Sequence, residues 1–328
     1  MILPSFSSPA CFTFFLRLLL LLLLFDPSSP FTYISIFSDH QYSSNFALSS
    51  SSENGDTTTP RRRGLLLTRI TGDSSSYEFP IRPIPITKVW SKDNPFTTAA
   101  DWGRIDSSND RLFYIVPRLT YHIDEAAVCA LTQHHRRTLL PRYEKGDVLD
   151  LCSSWVSHYP VEFPDRFRSI RGLGLNPVEL ALNDQLTGGY DIFDLNSGEK
   201  GSRQPSLPYD DDSFDAITCS CSFDYLVRPV EILAECRRIL RPGGTVVLGF
   251  SNRCFGSKAT RVWRTTGNLN HVELINAYFQ YSGGFGPREA YDITAIDGEK
   301  KGRDGWLSLL PSFGRRDPIF VVQARTLD

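Results

Sequence analysis

Residues 207–252 constrain the fold more than any other part of the chain. They read LPYDDDSFDAITCSCSFDYLVRPVEILAECRRILRPGGTVVLGFSN: a polar turn, an apolar run, a loop, an amphipathic stretch, a glycine-containing turn and a second apolar run. Residues 214–218 are short and apolar, as a strand buried on both faces requires. Pro229 stands where a helix can begin, because the first helical turn has no use for the N–H that proline lacks. Ile232, Leu233, Cys236 and Leu240 recur at helical spacing, with Glu231, Glu235, Arg237 and Arg238 between them. Arg241, Pro242, Gly243 and Gly244 are expected to stop that helix and turn the chain, and 245–250 is the next strand. A strand, crossover helix and strand of this length pair in parallel with a right-handed crossover. Such a unit builds a sheet with a ligand crevice at its strand ends.

The same grammar extends in both directions. Residues 147–151 (DVLDL) read as the first core strand and 168–175 as the second. A helix starts at Pro177 and runs to Asn183, and 190–195 is a short third strand. A helix over 271–281 and strands over 291–296 and 318–324 complete the series. Upstream, Ile123, Ala127 and Leu131 form a helical stripe within 123–139. Asp124 and Glu125 lie at its start and His134 to Arg137 near its end, complementing the helix dipole, and Pro141 is expected to end it. Pro80, Pro83 and Pro85 make 77–92 extended.

Over about residues 120–326 this arrangement resembles the class I S-adenosylmethionine-dependent methyltransferases of type 11. The resemblance is strongest at 207–252, where Leu207, Pro208 and Tyr209 precede the fourth strand as in the family. It implies an α/β fold: a Rossmann-like, seven-stranded, mostly parallel sheet with helices on both faces and the last strand antiparallel. It implies S-adenosyl-L-methionine as cofactor and methyl transfer to a small-molecule acceptor. The alternative is a methyltransferase-like protein without activity that serves in binding or assembly.

The family's first strand ends in an acidic residue and a glycine-rich loop. Asp150 fits the first feature, but residues 152–158 (CSSWVSH) contain no glycine. A loop of this kind resembles a subgroup from plants and photosynthetic bacteria. The resemblance implies that Ser153 and Ser154 offer hydroxyls to the amino-acid end of the cofactor and that Trp155 forms a wall. Gly174 stands where the family places an acidic residue for the ribose. Asn176 or Glu179 is in reach to replace it, the alternatives being a helix N-cap and a solvated helix face. Asp194, followed by Leu195, is implied as the acceptor for the adenine amino group. Cys219 is placed in the loop bordering the cofactor, or else is a buried small hydrophobe. His158 and Arg253 are candidate acceptor contacts, Arg253 otherwise being a surface ion pair. No general base is identified.

Other classes find little support. The net charge of −2 gives no basic excess for nucleic acid. Seven cysteines form no CxxC pair and no zinc spacing, which suits a reducing compartment. His122, His134, His135 and His158 make no metal pattern, so no metal is expected. Gly172 and Gly174 mimic a dinucleotide fingerprint, but its third glycine is missing. Residues 1–76 are rich in Ser and Thr, lack acids over the first 25 positions and carry Arg61, Arg62 and Arg63. They read as a targeting peptide and disordered linker for the chloroplast, the secretory pathway being the alternative through the leucine run at 18–25. That run is too short for a membrane span, so none is expected in the mature protein. Residues 77–144 are then an N-terminal extension whose helix packs on the core, and 145–328 the methyltransferase-like domain.

Overall fold

The apolar runs of the sequence become neighbours in one sheet. The computed structural model describes Ile70 and residues 76–96, 101–197, 206–297 and 316–327. The expected targeting segment lies outside the described residues except for Ile70 and Ser76. In chain order the elements are β1 (Tyr77–Glu78), β2 (Arg82–Pro83), α1 (Asp110–Phe113), α2 (Glu125–Tyr143), β3 (Asp147–Leu151), α3 (Phe163–Arg166), β4 (Ser169–Gly174), α4 (Pro177–Leu182) and β5 (Tyr190–Ile192). There follow β6 (Phe214–Ser220), a 3-10 turn (Phe223–Tyr225), α5 (Pro229–Ile239), β7 (Leu240–Ser251), α6 (Arg261–Arg264), α7 (Asn268–Ser282), β8 (Glu289–Asp292), β9 (Ile296–Asp297) and β10 (Ile319–Arg325).

The main sheet has the order β2-β8-β10-β7-β6-β3-β4-β5. Pairing is parallel from β5 through β4, β3 and β6 to β7. β10 runs antiparallel to both β7 and β8, as expected for the last strand. The expected count of seven strands is corrected to eight, because β2 adds itself antiparallel to the free edge of β8. Its proline is tolerated there, since an edge strand has a row of N–H groups that need no partner. The Arg82 guanidinium fixes the join by donating to both carboxylate oxygens of Asp292, at 3.1 and 3.2 Å. The expected strand over 291–296 is divided: β8 stays in the main sheet, while β9 pairs with β1 in a separate two-stranded sheet.

Two helix ends also differ from expectation. α2 runs through Pro141 to Tyr143, and Asp124 is its N-cap, accepting from the Ala127 N–H at 2.8 Å. α5 ends at Ile239, and Arg241 to Gly244 lie inside the extended run of β7 rather than in a turn. Gly243 has φ +73°, and the β6–β7 register shifts between Phe214 and Ala216 beside it.

Strand alternation sorts the core into two layers. Leu149, Ile217, Val246 and Leu248 face a cluster containing Ile232, Leu233 and Cys236 of α5 and Ile275 and Phe279 of α7. Val148, Ala216, Val247 and Val321 face Ala126, Ala127 and Leu131 of α2. Each such buried Val, Leu, Ile or Phe side chain contributes about 1.5–3 kcal/mol. From β3 the chain steps outward through β4 to β5, then crosses back to β6 on the other side. The order therefore reverses between β3 and β6, where open α/β sheets form their crevice.

Candidate functional site

A cavity of about 340 Å³ lies at that reversal, outside the carboxyl ends of β3 to β6. Its size is in the range of sites that enclose small molecules. Its floor is the 152–158 loop. Cys152 and His158 adopt φ of +58° and +55°, a region that glycine enters most easily, so the glycine-free loop still makes left-handed turns. The close approach usual for a glycine occurs on the neighbouring strand instead. A Cβ at Gly174 would collide with the Ser153 carbonyl oxygen. Ser153 is held there by its own N–H, which donates to the Leu173 carbonyl at 2.8 Å.

The carboxylate of Asp150 is buried beneath this loop. It accepts from Ser153 Oγ at 2.6 Å and, more loosely, from Thr218 Oγ1 at 3.4 Å. Burial pushes its pKa up to about 6, against the pull of hydrogen bonds from Ser153, Ser157 and Thr218. Ser154 Oγ donates to Glu179 Oε2 at 2.6 Å, and Glu179 Oε1 accepts the Arg118 N–H at 2.7 Å. Glu179 is therefore buried and bonded, not a solvated face. Trp155 is a wall: it is buried, its Nε1 donates to the Thr120 carbonyl at 3.2 Å, and its ring meets Tyr121 edge-on at 5.0 Å.

Asn176 caps α4, its Oδ1 accepting from the N–H groups of Val178 and Glu179. Its Nδ2 donates to the Tyr114 carbonyl at 2.7 Å, so the side chain is already committed at both ends. Asp194 and Leu195 line the cavity after β5. One Asp194 oxygen accepts from the Asn196 N–H at 2.9 Å; the other has no hydrogen-bond partner among the described residues. Burial raises the Asp194 pKa, and the nearby Asp110 adds to this, against the Asn196 hydrogen bond.

One expected placement changes, and two candidate acceptor contacts line the cavity with protein partners of their own. Cys219 does not border the cavity. The strand continues to Ser220, so period-two alternation turns Cys219 into the helix-facing core while Ser220, Cys221 and Ser222 line the cavity. Arg253 reaches the cavity rim but pairs with Asp317 at 2.8 Å. His158 lines the cavity with its carbonyl turned away, accepting from Thr132 Oγ1 and facing His135 Nδ1, both at 3.2 Å.

The roof was not legible in the sequence. Residues 101–123 pass over the cavity and contribute Tyr114, Arg118, Tyr121 and His122, opposite Phe255 from the loop after β7. The segment is pinned by Asp110, whose two oxygens accept from Arg104 Nη1 at 2.8 Å and one of which accepts from Asn196 Nδ2 at 2.8 Å. Lys258, fully buried, pairs with Asp110 and Asp106, each at 3.1 Å. Burial alone would raise the Asp110 pKa, but Arg104, Asn196 and Lys258 outweigh it and hold the carboxyl below its ordinary value. The one signal of this roof in the sequence is aromatic density, Phe113, Tyr114 and Tyr121, in a stretch without apolar periodicity.

The fold and the site together define an open α/β sheet with a cavity of small-molecule size at the reversal of its strand order. Residues 162–248 match the family model described as a methyltransferase domain. Among curated proteins, the chain is 24% identical over 153 residues to the demethylmenaquinone methyltransferase of Bacillus subtilis, covering 43% of this chain and 64% of that protein. It is 50% identical over 42 residues to the demethylmenaquinone methyltransferase of Clavibacter sepedonicus, covering 13% of this chain and 17% of that protein. The chain thus spans less than two thirds of the length of these relatives. Among solved structures, an S-adenosylmethionine-dependent methyltransferase from Aquifex aeolicus aligns with a TM-score of 0.39 and 12% identity, covering 60% of this chain and 89% of that one.

Proposed function

We propose that the chain is an S-adenosylmethionine-dependent methyltransferase acting on a small-molecule acceptor. The observation that carries this reading is the cavity at the reversal of the sheet, with an Asp194 oxygen that has no hydrogen-bond partner among the described residues. The match of 162–248 to a methyltransferase domain supports it. The residues fit the cofactor unevenly. Asp194 suits the adenine amino group, Leu195 and Phe193 suit the ring, and the close packing at Gly174 leaves the loop backbone beside the ligand space. At the other end the Ser153, Ser154 and Asn176 side chains are engaged within the protein, as are the Ser153 N–H and the Ser154 carbonyl.

The cofactor supplies an electrophilic methyl group. The chain's part is to hold acceptor and methyl in line, and such positioning supplies much of the rate in transfers of this kind. Calorimetric titration of the full chain with S-adenosylmethionine and S-adenosylhomocysteine tests the reading. Binding is expected, and Asp194→Ala should weaken it by about 1–3 kcal/mol. No heat and no thermal shift at millimolar ligand would sink it.

The internal bonding of Ser153, Ser154, Glu179 and Asn176 favours a second reading, a protein that keeps the fold for binding or assembly without transfer. Binding of both ligands at equal affinity with no turnover on any acceptor would support it. The glycine-free loop supports membership of the plant and photosynthetic-bacterial subgroup, and the Ser/Thr-rich, acid-poor start supports delivery to the chloroplast. A fluorescent reporter fused behind residues 1–76 would decide, secretion being the contrary outcome.

A further inference from the structure

The half of the cavity under the roof has its own polar groups, unused by the reading above. Phe255 stands at its centre. Its ring meets His122 at 5.1 Å, Phe113 at 5.5 Å and Tyr225 at 6.1 Å. The Phe255 N–H donates to Tyr225 Oη at 2.8 Å, which fixes the platform. The Arg118 guanidinium lies 5.3 Å from the same ring and 4.4 Å from Phe113. Its Nη2 donates to the Phe113 carbonyl at 3.0 Å, whereas Nη1 is buried and has no hydrogen-bond partner among the described residues. Ser220 Oγ, also on the cavity wall, is buried in the same condition. His122 lines the cavity and is open to solvent, and neither ring nitrogen has a hydrogen-bond partner among the described residues. Buried polar groups are almost always paired, so the two buried orphans among the lining residues, Arg118 Nη1 and Ser220 Oγ, call for a polar ligand group.

We propose that this half is an acceptor subsite for a planar aromatic compound carrying an acidic hydroxyl, with His122 taking the hydroxyl proton and Arg118 facing the oxygen that loses it. The proposal rests on the methyltransferase reading for its second substrate. Phe255 offers the ring face, and aromatic pairs at such distances add about 0.5–1.5 kcal/mol beyond burial. Partial desolvation of the ring, then the charge of Arg118, lowers the His122 pKa, so the imidazole is neutral at neutral pH and free to accept, and because it is a weaker base the transfer relies on Arg118 stabilising the oxyanion. The other groups around it are matched or uncharged. Arg253 on the Phe255 loop is paired with Asp317, whose second oxygen accepts the Asp124 N–H at 2.9 Å, and burial raises the Cys254 pKa. In the transfer, the O–H proton goes to His122 and the oxygen's electron pair forms the O–CH3 bond. The S–CH3 bond breaks with its pair remaining on sulfur, and His122 returns the proton to water.

The probe is 4-nitrophenol, whose colour reports its ionisation. It is added to the full chain with S-adenosylhomocysteine at a pH where the free compound is mostly protonated. The bound probe should show the phenolate band. His122→Gln should reduce that band about tenfold, and Arg118→Gln should weaken probe binding by a similar factor. His122 is exposed, so its substitution should leave the melting temperature unchanged, which separates lost chemistry from lost fold. A bound probe that keeps the phenol spectrum, no binding of the probe, or an undiminished band in His122→Gln would overturn the subsite. Calorimetry on the same samples separates the two ideas. A phenolate band without S-adenosylhomocysteine binding removes the methyl-transfer reading and keeps the subsite. S-adenosylhomocysteine binding without the band does the reverse.

Discussion

Asp150 is a carboxylate that the fold holds against its preference for water. Its pKa in the folded protein, about 6, lies above the ordinary value of 3.8. Its contribution to stability is therefore fully present below the unfolded value and is lost as pH rises through the folded one. A shift of about two units corresponds to roughly 3 kcal/mol. Asp150→Asn keeps an acceptor for Ser153 and removes the charge. Its stability relative to the parent, measured by urea denaturation, should accordingly climb by that order between pH 4 and pH 7. A flat difference would show that the carboxylate is better solvated than its burial implies. Gly174 is the second informative position, because the atom its Cβ would strike is backbone, the Ser153 carbonyl oxygen. Gly174→Ala should cost about 1–3 kcal/mol through overpacking. It should also reduce S-adenosylhomocysteine affinity, since relief requires moving the loop; a melting curve equal to the parent's would contradict this.

Among elements, the short helix α4 depends on a single side chain. Asn176 satisfies two N–H groups of its first turn and, with Nδ2, a carbonyl of the roof segment. Asn176→Ala should cost about 1–2 kcal/mol, whereas Asn176→Ser should restore most of the helix cap without restoring the tie to Tyr114. Thermal denaturation of the two variants separates cap from tie. The parallel strands were legible because a strand buried on both faces is rich in apolar residues, as 147–151 and 214–218 are despite Asp150 and Asp215. The end of β6 was not. Two further residues of strand decide that Cys219 stays in the pleat and Ser220 faces the cavity, and nothing local marks that end. β2 was hidden for a different reason: two residues, one a proline, carry no period, and only the free edge of β8 gives them a place. The roof escaped notice because its anchors, Asp110, Lys258 and Asn196, come from three distant parts of the chain and meet only after the sheet has formed.

At the scale of the molecule, Lys258 joins the segment after β7 to the segment that roofs the cavity. Breaking a buried ion pair from one side costs about 3–5 kcal/mol, because the remaining charge is stranded. Lys258→Ala should therefore expose the 101–118 stretch to limited proteolysis well below the conditions that unfold the sheet. Cleavage appearing first elsewhere would assign the pin to another contact. Glu179 spans a shorter distance with a wider effect. One of its oxygens accepts from the roof at the Arg118 N–H, and the other accepts from the loop at Ser154 Oγ. A disturbance of either contact is thus felt by the other through one rigid planar group. In steady-state terms, the two ligands proposed for the cavity would then neither arrive nor depart at random. The ligand on the loop would set how readily the one beneath the roof is exchanged, giving a compulsory order of addition visible in product-inhibition patterns.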